Sequence, residues 1–531
     1  MKLAAVVGCP TRSDRGRSCY AIFVLCAILV LGNASAANVD VAVRAATPRH
    51  VYPSGEAFTF DVTVSTQAGE EVDGIFYQWR DFRGRPMGPK MPLSADGRTR
   101  IRSPSTEQPP GYLGLAFLAD NPTIIFNEST GSRREFGFVA LPSKSVADRK
   151  LNTESPFGLV HADPSDPYIS TWIKTLTWNT TGPAHWRAEL QQRRDAGLLE
   201  LPMISGKRWV SDDARPVSKK FMEILHDRFR EYITADPAAT HWELGREENL
   251  SRRFEKPAYF ANLAAKAAAI RNASEGVTDD LRLIYQIGGR SLSDAKSFLA
   301  SDAAIHFDIL APHPYFWPDF PVPEKWLEQF IDQRREAMQD NDIDMPMWFT
   351  EIGAPQNDAA VAQMLSGDRP VRGHRRDENA AWLIRTHVIS LAAGIEKIFW
   401  YNYADRDPST TDVEDHFGLV DYWGFPKPSY AAYVNMIDCL DGRSFSGKRE
   451  LAGGLRVYKF SSGSNHCIVA WTYPESTVTA SLRSLVGSES EITTIRNTVG
   501  SPIDKSGSLA IDGYPVLLTV RAKAPETDRS R

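Results

Sequence analysis

The sequence predicts an α/β protein: a (β/α)8 TIM barrel flanked by an N-terminal β-sandwich and a small C-terminal β-domain. Eight short apolar runs recur between residues 157 and 401, and most are separated by helical patterns. On both sides of this region the apolar residues instead recur at every second position, which is typical of strands. A doubly wound sheet is the alternative fold for the middle region, but no glycine-rich phosphate loop follows its first apolar run.

The first 36 residues have the pattern of a secretory signal peptide. Basic residues up to Arg17 precede an apolar run from Tyr20 to Leu31, and the small residues Ala34-Ser35-Ala36 follow. The run is shorter than the roughly 20 residues that span a bilayer, so an uncleaved anchor is the less favoured alternative. We therefore expect cleavage after Ala36, a secreted or periplasmic protein, and no stable insertion into a membrane.

The domain boundaries follow from changes in the apolar period. Before the barrel, Phe58, Phe60, Val62 and Val64 alternate with polar neighbours, and Pro53-Ser54-Gly55 marks a turn. The predicted units are a signal peptide at 1–36, a β-sandwich at 37–145, the barrel at 150–442, a β-domain at 443–523 and a polar tail at 524–531. In such a barrel, functional groups are expected just past the carboxyl ends of the strands.

Composition and charge exclude several classes of protein. The chain has 531 residues, of which 42% are hydrophobic and 24% are charged. This is ordinary globular content, and it argues against disorder, collagen and coiled coils. The formal net charge is −5, and removal of the basic leader makes the remainder more negative. Nothing in the bulk charge indicates a nucleic-acid partner.

Neither the cysteines nor the histidines indicate a metal or a cofactor. Of five cysteines, all but Cys439 and Cys467 lie in the leader, and these two either form one disulfide or remain buried thiols. The histidines are scattered and there is no HExxH segment. We therefore expect no metal and no cofactor.

Two glutamates stand where predicted strands run into their loops. The fourth strand leads into Trp242-Glu243-Leu244-Gly245-Arg246-Glu247-Glu248-Asn249, and the seventh leads into Trp348-Phe349-Thr350-Glu351-Ile352-Gly353. Retaining glycoside hydrolysis needs a proton-donating carboxyl and an attacking carboxylate roughly 5–5.5 Å apart, and opposite sides of one barrel mouth can supply them. We assign Glu247 as the acid/base and Glu351 as the nucleophile. The charge of the nucleophile is expected to keep Glu247 protonated.

These segments resemble the motifs of a known family. Trp242-Glu243 followed by Glu247 and Asn249 is similar to the WExxNEPN signature of the β-xylosidase and α-L-iduronidase family and its exopolysaccharide-hydrolase relatives. Thr350-Glu351-Ile352-Gly353 matches the TEIG nucleophile segment, and His313-Pro314-Tyr315 matches the HPY segment after strand six. The chain thus resembles a clan A glycoside hydrolase of the family 39 type. The resemblance implies a retaining mechanism with the two glutamates in the roles given above.

One departure from the family pattern concerns the residues next to Glu247. Arg246 replaces the asparagine that binds the sugar 2-hydroxyl in the family, and Glu248 replaces a proline. A guanidinium against Glu247 would lower the pKa of a general acid, so Arg246 is expected to point elsewhere. One interpretation is an ion pair with Glu248, and the other is bidentate binding of an anionic substrate group.

Other candidate substrate-binding residues lie near the predicted strand ends. They are Asn249, His313, Tyr315, Trp400, His161, Trp178, Arg208 and Trp317. A tyrosine hydroxyl at 315 can orient Glu351 and hold it ionised, although a packed His-Pro-Tyr turn is the plain structural alternative. Trp400 is placed beneath the sugar in the cleavage subsite, because sugar C–H faces stack on aromatic rings.

Basic residues recur at the predicted mouth of the barrel. They are His161, Lys207, Arg208, Arg246 and Arg290. A locally positive mouth on a net-negative protein would attract an acidic polysaccharide. Salt bridges to rim acids such as Asp163, Asp212 or Glu248 are the alternative.

The sequence therefore predicts an exported retaining glycoside hydrolase that acts on a β-linked polysaccharide or oligosaccharide, acidic glycans included. The alternative from another class is a catalytically inactive carbohydrate-binding protein on the same barrel, because Arg246 departs from the family pattern. The N-terminal β-region is either a glycan-binding module or a packing domain.

Overall fold

A computed structural model describes most of the chain beyond residue 37. The described residues are 38–45, 47–66, 74–93, 98–120, 125–126, 135–141, 154–163, 166, 174–177, 199–204, 213, 215–237, 239–316, 322–357, 374–407, 412–487, 490–505 and 507–522. The predicted signal peptide and polar tail lie outside these ranges, and so do the candidate site residues Trp178, Arg208 and Trp317.

In the described part of the chain, nine strands precede the barrel. They are β1 (Asn38–Ala45), β2 (Val51–Pro53), β3 (Thr59–Thr66), β4 (Ile75–Arg80), β5 (Met91–Pro92), β6 (Arg98–Arg102), β7 (Gly111–Ala119), β8 (Ile125–Phe126) and β9 (Glu135–Leu141). They form two sheets, in the orders β6-β3-β1-β8 and β2-β9-β7-β4-β5. The apolar faces of both sheets share one core, in which the rings of Phe60 and Phe138 stack with their centroids 4.5 Å apart. Two sheets packed face to face in this way make a β-sandwich.

The middle of the chain forms a closed barrel of eight parallel strands. They are β10 (Phe157–Val160), β11 (Lys174–Thr177), β12 (Leu199–Ile204), β13 (His241–Leu244), β14 (Arg282–Gly288), β15 (Ile309–His313), β16 (Trp348–Ile352) and, after the short pair β17 (Gln356–Asn357) and β18 (His374–Arg375), β19 (Lys397–Trp400). Strands β10 to β15 follow one another in order, and β19 pairs with both β10 and β16. A parallel bridge between Leu310 and Met347 closes the ring. The predicted barrel is confirmed.

Helices cover the outside of the barrel. They are α1 (Lys219–Ala235), α2 (Tyr259–Ser274), α3 (Leu292–Leu299), α4 (Leu327–Gln339), α5 (Arg376–Ala392) and α6 (Pro428–Leu440). Helix α1 shows why such segments fold: the Ser218 hydroxyl accepts from the backbone N–H of Phe221 at its start, and Leu225, Phe229 and Ile233 lie one turn apart on its buried face. Among the described residues, no helix is long and apolar enough to cross a membrane.

Alternation along the strands separates two apolar layers. Val160, Ile284, Ile309, Phe399 and Tyr401 belong to a cluster inside the barrel. Their chain neighbours belong to the larger core between the strands and the helices, as Leu159, Leu283, Leu310 and Trp400 do. Because side chains alternate along a strand, this division fixes which residues can reach the mouth of the barrel.

A second β-region follows the barrel. Its elements are β20 (Ser444–Leu451), β21 (Leu455–Ser462), β22 (Asn465–Thr472), β23 (Val478–Ser481), α7 (Leu482–Val486), β24 (Ser490–Arg496), β25 (Ser508–Ile511) and β26 (Val516–Ala522). Five strands make an antiparallel sheet in the order β20-β21-β22-β26-β24, while β23 pairs with β25. Cys439 of α6 and Cys467 of β22 form a disulfide, which settles the pairing that the sequence leaves open.

Candidate active site

The two glutamates meet at the carboxyl-terminal mouth of the barrel. Glu351 belongs to β16, and Glu247 lies in the loop that follows β13. One carboxylate oxygen of each glutamate and a ring nitrogen of His313 all lie within 4.8 Å of one another. Only 5% of the Glu351 side chain is exposed, whereas 24% of the Glu247 side chain is exposed. The pairing of two carboxylates at one mouth is therefore present.

His313 lies between the two glutamates at the end of β15. Its Nδ1–H donates to Glu247 Oε1 at 2.7 Å and is 3.8 Å from Glu351 Oε2, and its Nε2–H donates to the Thr350 hydroxyl at 2.9 Å. Burial disfavours the charged ring, but the carboxylates of Glu351 and Glu247 outweigh it and raise the pKa of His313 to about 9. His313 is therefore a cation at neutral pH.

The predicted contact of His313 with substrate is wrong. Its side chain is completely buried, and both ring nitrogens bind protein groups. The consecutive residues Thr350 and Glu351 both lie close to the imidazole of His313. The register of β16 shifts between Phe349 and Ile352, in the same stretch of the strand. The ring of His313 thus faces the two carboxylates and the Thr350 hydroxyl.

Tyr315 is placed as the sequence predicts, beside Glu351. Its hydroxyl donates to Glu351 Oε2. Glu351 Oε1 is buried and has no hydrogen-bond partner among the described residues. Burial and the charge of Glu247 raise the pKa of Glu351 to about 7, against the lowering effects of His313 and of the Tyr315 hydrogen bond. One oxygen of Glu351 is thus fixed by Tyr315, while the other is left open by the described part of the chain.

The charge state of Glu247 differs from the expectation. Burial raises its pKa, but the hydrogen bond and charge of His313, with the charge of Arg246, outweigh burial and lower the pKa below its ordinary value. The expectation that the nucleophile keeps Glu247 protonated in the free site is therefore wrong. The physical reason is that the cationic ring of His313 lies closer to Glu247 than to Glu351.

A third carboxyl, that of Glu243, lies within the barrel below this pair. Glu243 is fully buried, and burial raises its pKa to about 8, against the lowering influence of His313, Thr350 and Gln286. At neutral pH it therefore carries no charge. The inward position of Glu243 could have been predicted from the sequence. Side chains alternate along a strand, so a glutamate between the buried residues Trp242 and Leu244 faces the opposite way from both.

Trp400 was wrongly predicted as the ring beneath the sugar. It is fully buried between the strands and the helices, with its ring 5.7 Å from that of His387 in α5. The next residue, Tyr401, belongs to the cluster inside the barrel and contacts Tyr315 edge to face at 5.5 Å. Arg406 donates to the Tyr401 hydroxyl. The residue that reaches the mouth after β19 is thus Tyr401, which the sequence analysis missed.

Arg246 is exposed next to Glu247 and lies near both glutamates. Its charge favours the ionised forms of Glu247, Glu351 and Tyr401, so it does not point away from the site as expected. Of the two interpretations of Arg246, the ion pair with Glu248 is not among the contacts of the described residues, where Glu248 binds Arg253 and accepts from the Tyr259 hydroxyl at 2.9 Å.

The remaining basic candidates have different surroundings. His161 is exposed just after β10, with its ring 6.2 Å from that of Tyr401. Arg290 lies over the Trp326 ring, 4.6 Å from its centroid. The rim acid Asp163 pairs with Arg49 of the N-terminal region. Lys207, Arg208 and Asp212 fall outside the described residues.

Asn249 does not have the predicted role in substrate binding. Its side-chain amide is buried, and it bonds to both backbone groups of Gly288 and to the carboxylate of Asp294. These bonds use both amide hydrogens, so the side chain is committed to the protein.

The donor set of Glu247, His313 and Glu351 is of a kind that can hold a metal ion, and it is the one such cluster in the described part of the chain. A cation here would have to displace the proton of His313, whose pKa is raised to about 9 by the same two carboxylates. The arrangement fits proton chemistry better, and we assign no metal to it.

The eight parallel strands, with the two glutamates at their carboxyl ends, have the architecture of a (β/α)8 barrel. A family 39 glycoside hydrolase from the gut symbiont Bacteroides cellulosilyticus superposes with a TM-score of 0.62 at 18% identity, over 90% of this chain and 100% of that chain. This likeness shows a shared fold and agrees with the family 39 resemblance of the motifs.

Other solved structures are less similar. A glucosidase from Croceicoccus marinus has a TM-score of 0.47 at 12% identity, over 67% of this chain and 91% of that chain. A family 30 endoxylanase from Clostridium papyrosolvens has a TM-score of 0.45 at 10% identity, over 71% of this chain and 98% of that chain. No protein-family model and no curated protein sequence matches the chain.

Proposed function

We propose that the protein is an exported retaining glycoside hydrolase in which Glu351 is the nucleophile and Glu247 is the acid/base. The observation that carries the proposal is the approach of the two carboxylates to within 4.8 Å at the mouth of the barrel. Retaining enzymes hold their carboxyls roughly 5–5.5 Å apart, whereas inverting enzymes need roughly 6.5–9.5 Å to admit a water molecule. The observed spacing supports direct attack on the sugar.

The reaction has two steps. Glu351 attacks the anomeric carbon, the bond from that carbon to the leaving oxygen breaks, and Glu247 gives its proton to this oxygen. In the second step Glu247 takes a proton from water, the resulting hydroxyl attacks the anomeric carbon, and the ester bond to Glu351 breaks. Each glutamate then has its starting charge again.

The surroundings of the glutamates support these roles. Tyr315 fixes one oxygen of Glu351, and the other has no hydrogen-bond partner among the described residues, as an attacking group requires. Glu247 is the more exposed of the two, so a leaving group and a water molecule can reach it. The two glutamates share one proton. In the free site Glu351 holds it, whereas in the reactive form Glu247 holds it. A substrate that covers Glu247 removes water from it and thereby favours its protonated form.

Substitution of the two glutamates tests the assignment. We expect Glu351→Gln to abolish turnover of glycans, and Glu247→Gln to lower it by about 10²–10⁴-fold, the usual contribution of a general acid. Glu336→Gln, which changes an exposed glutamate on α4, serves as the matched control. Initial rates on a glycan panel provide the measurement. Substantial turnover by Glu351→Gln would refute the nucleophile assignment.

We further propose that the substrate is a β-linked polysaccharide or oligosaccharide that carries carboxylate groups. The support is Arg246, an exposed guanidinium whose charge acts on both glutamates in place of the uncharged asparagine of the family motif. A guanidinium can bind a carboxylate through two parallel hydrogen bonds.

Replacement of this arginine tests the preference for acidic glycans. We expect Arg246→Ala to lower kcat/KM on uronate-bearing glycans by about 10-fold or more, and to change kcat/KM on neutral glycans much less. Arg282→Ala is the matched control, because Arg282 is an exposed residue at the opposite, amino-terminal end of its strand. An equal loss on both kinds of glycan would rule out carboxylate recognition by Arg246.

A further inference from the structure

We propose that Asn249 and Gly288 form a clamp that holds Glu247 in position for proton transfer, which makes them positioning residues of the proposed glycosidase. Asn249 Nδ2 donates to Gly288 O at 2.8 Å, and Gly288 N–H donates back to Asn249 Oδ1 at 2.9 Å. Asn249 Nδ2 also donates to Asp294 Oδ2 in the first turn of α3 at 2.8 Å. One side chain thus ties the loop after β13 to the end of β14 and the start of α3.

The close approach of Gly288 to Glu247 is the second element of the clamp. A β-carbon at position 288 would lie 2.7 Å from Glu247 Cβ, 2.9 Å from Glu247 Cδ and 2.8 Å from Leu250 Cδ1. Real β-carbons do not come this close to other carbons, so any side chain at 288 would displace Glu247. Only glycine permits the observed position of the acid/base.

The backbone of Glu247 shows why a clamp is needed. Glu247 has φ +42°, a left-handed conformation that residues other than glycine rarely adopt. Such a conformation is strained and persists only where the surroundings enforce it. Asn249 supplies this restraint on the carboxyl side of Glu247.

The residue between them, Glu248, adds a restraint of its own. Its carboxylate binds Arg253 and accepts from Tyr259, and Arg253 also binds the buried Asp213. Glu248 stands where the family motif has proline, whose ring would make the backbone rigid. In this chain a buried ion-pair network fixes the loop at the same position. The strained residue is thus followed by two anchored residues.

The geometry of general acid catalysis explains what the clamp achieves. Transfer of a proton to the leaving oxygen requires the donor within hydrogen-bond reach, and a displacement of about 1 Å can cost 10²-fold in rate. If the clamp were released, Glu247 would relax to negative φ, and its carboxylate would move relative to His313 and the leaving group. The nucleophile, on a different strand, would stay in place.

Leaving-group dependence distinguishes misplacement of the acid/base from general damage. We would measure kcat/KM for phenyl and 2,4-dinitrophenyl β-glycosides of xylose and glucuronic acid, because the dinitrophenolate departs without a proton whereas the phenolate needs one. Asn249→Ala and Gly288→Ala should each lose about 10²-fold or more on the phenyl glycosides and less than about 3-fold on the dinitrophenyl glycosides. Either variant suffices if the other fails to fold.

Reference and control variants make the result decisive. Glu247→Ala should show the same selective loss, while Asn341→Ala and Gly88→Ala should behave as wild type. Among the described residues the Asn341 side chain bonds to the end of α4, and Gly88 has open space around it. The clamp is refuted if its variants lose activity equally on both leaving groups, or lose none. In either case a selective loss in Glu247→Ala still supports the proposed function. If Glu247→Ala itself lacks leaving-group selectivity, the proposed function fails and the clamp fails with it.

Discussion

His313 controls the charge of the two glutamates at the mouth of the barrel. It carries its proton at neutral pH because the carboxylates of Glu351 and Glu247 face it, and its charge in turn favours the ionised form of each glutamate. The two glutamates then share a single proton over a range of pH that extends from below the ordinary glutamate pKa to about 7. The proposed mechanism requires this one-proton form of the pair.

The pH profile of activity follows from this charge arrangement. We expect kcat/KM to fall as the pH rises through about 7, where the pair loses its last proton, although His313 stays charged up to about 9. His313→Asn removes a positive charge, so the pKa of each glutamate rises and both limbs of the profile move to higher pH. Initial rates from pH 3 to pH 10 provide the measurement.

A surface histidine is the control for this prediction. His226 lies on the exposed face of α1, and His226→Asn should leave the profile unchanged. A profile of His313→Asn that coincides with that of the wild type, or that moves to lower pH, would contradict the role assigned to the His313 charge.

At the scale of single elements, the positions of the strands were predictable from the sequence. Which side chains of a strand point into the barrel was not always predictable. The run 397–401 was expected to be a strand, and β19 occupies Lys397–Trp400. Barrel strands are apolar on both faces, so hydrophobicity does not reveal which residues point inward. That ambiguity caused the error of one residue between Trp400 and Tyr401. In β13 the buried glutamate Glu243 indicates which residues of the strand point inward.

Loops were predictable only where a motif described them. The motif after the fourth strand predicts that Glu247 lies in a loop, and the structure has Glu247 in the loop after β13. The roles of Glu247, Arg246 and Glu248 stay predictions. The partners of these residues could not be predicted, because Arg253, Tyr259 and Gly288 come from other turns of the chain. Contacts between distant segments leave no periodic signal in a sequence.

At the scale of the whole molecule, the order of β-region, barrel and β-region follows from changes of period, but the contacts between these units do not. Arg385 of α5 and Glu324 form a fully buried ion pair, and the Trp471 ring of β22 donates to the same glutamate at 2.8 Å. Loss of one partner of such a pair leaves a buried charge uncompensated. Together with the Cys439–Cys467 disulfide, these bonds join the barrel to the C-terminal sheet.

In the proposed mechanism Glu351 forms a covalent bond with the sugar, and a mechanism-based label detects that bond. The protein would be incubated with a panel of 2-deoxy-2-fluoro glycosides that carry a dinitrophenyl leaving group, digested, and analysed by mass spectrometry. The account predicts one fluoro-sugar on the peptide that contains Glu351, and none in Glu351→Gln. A label on Glu247, or hydrolysis with inversion and no label, would contradict it.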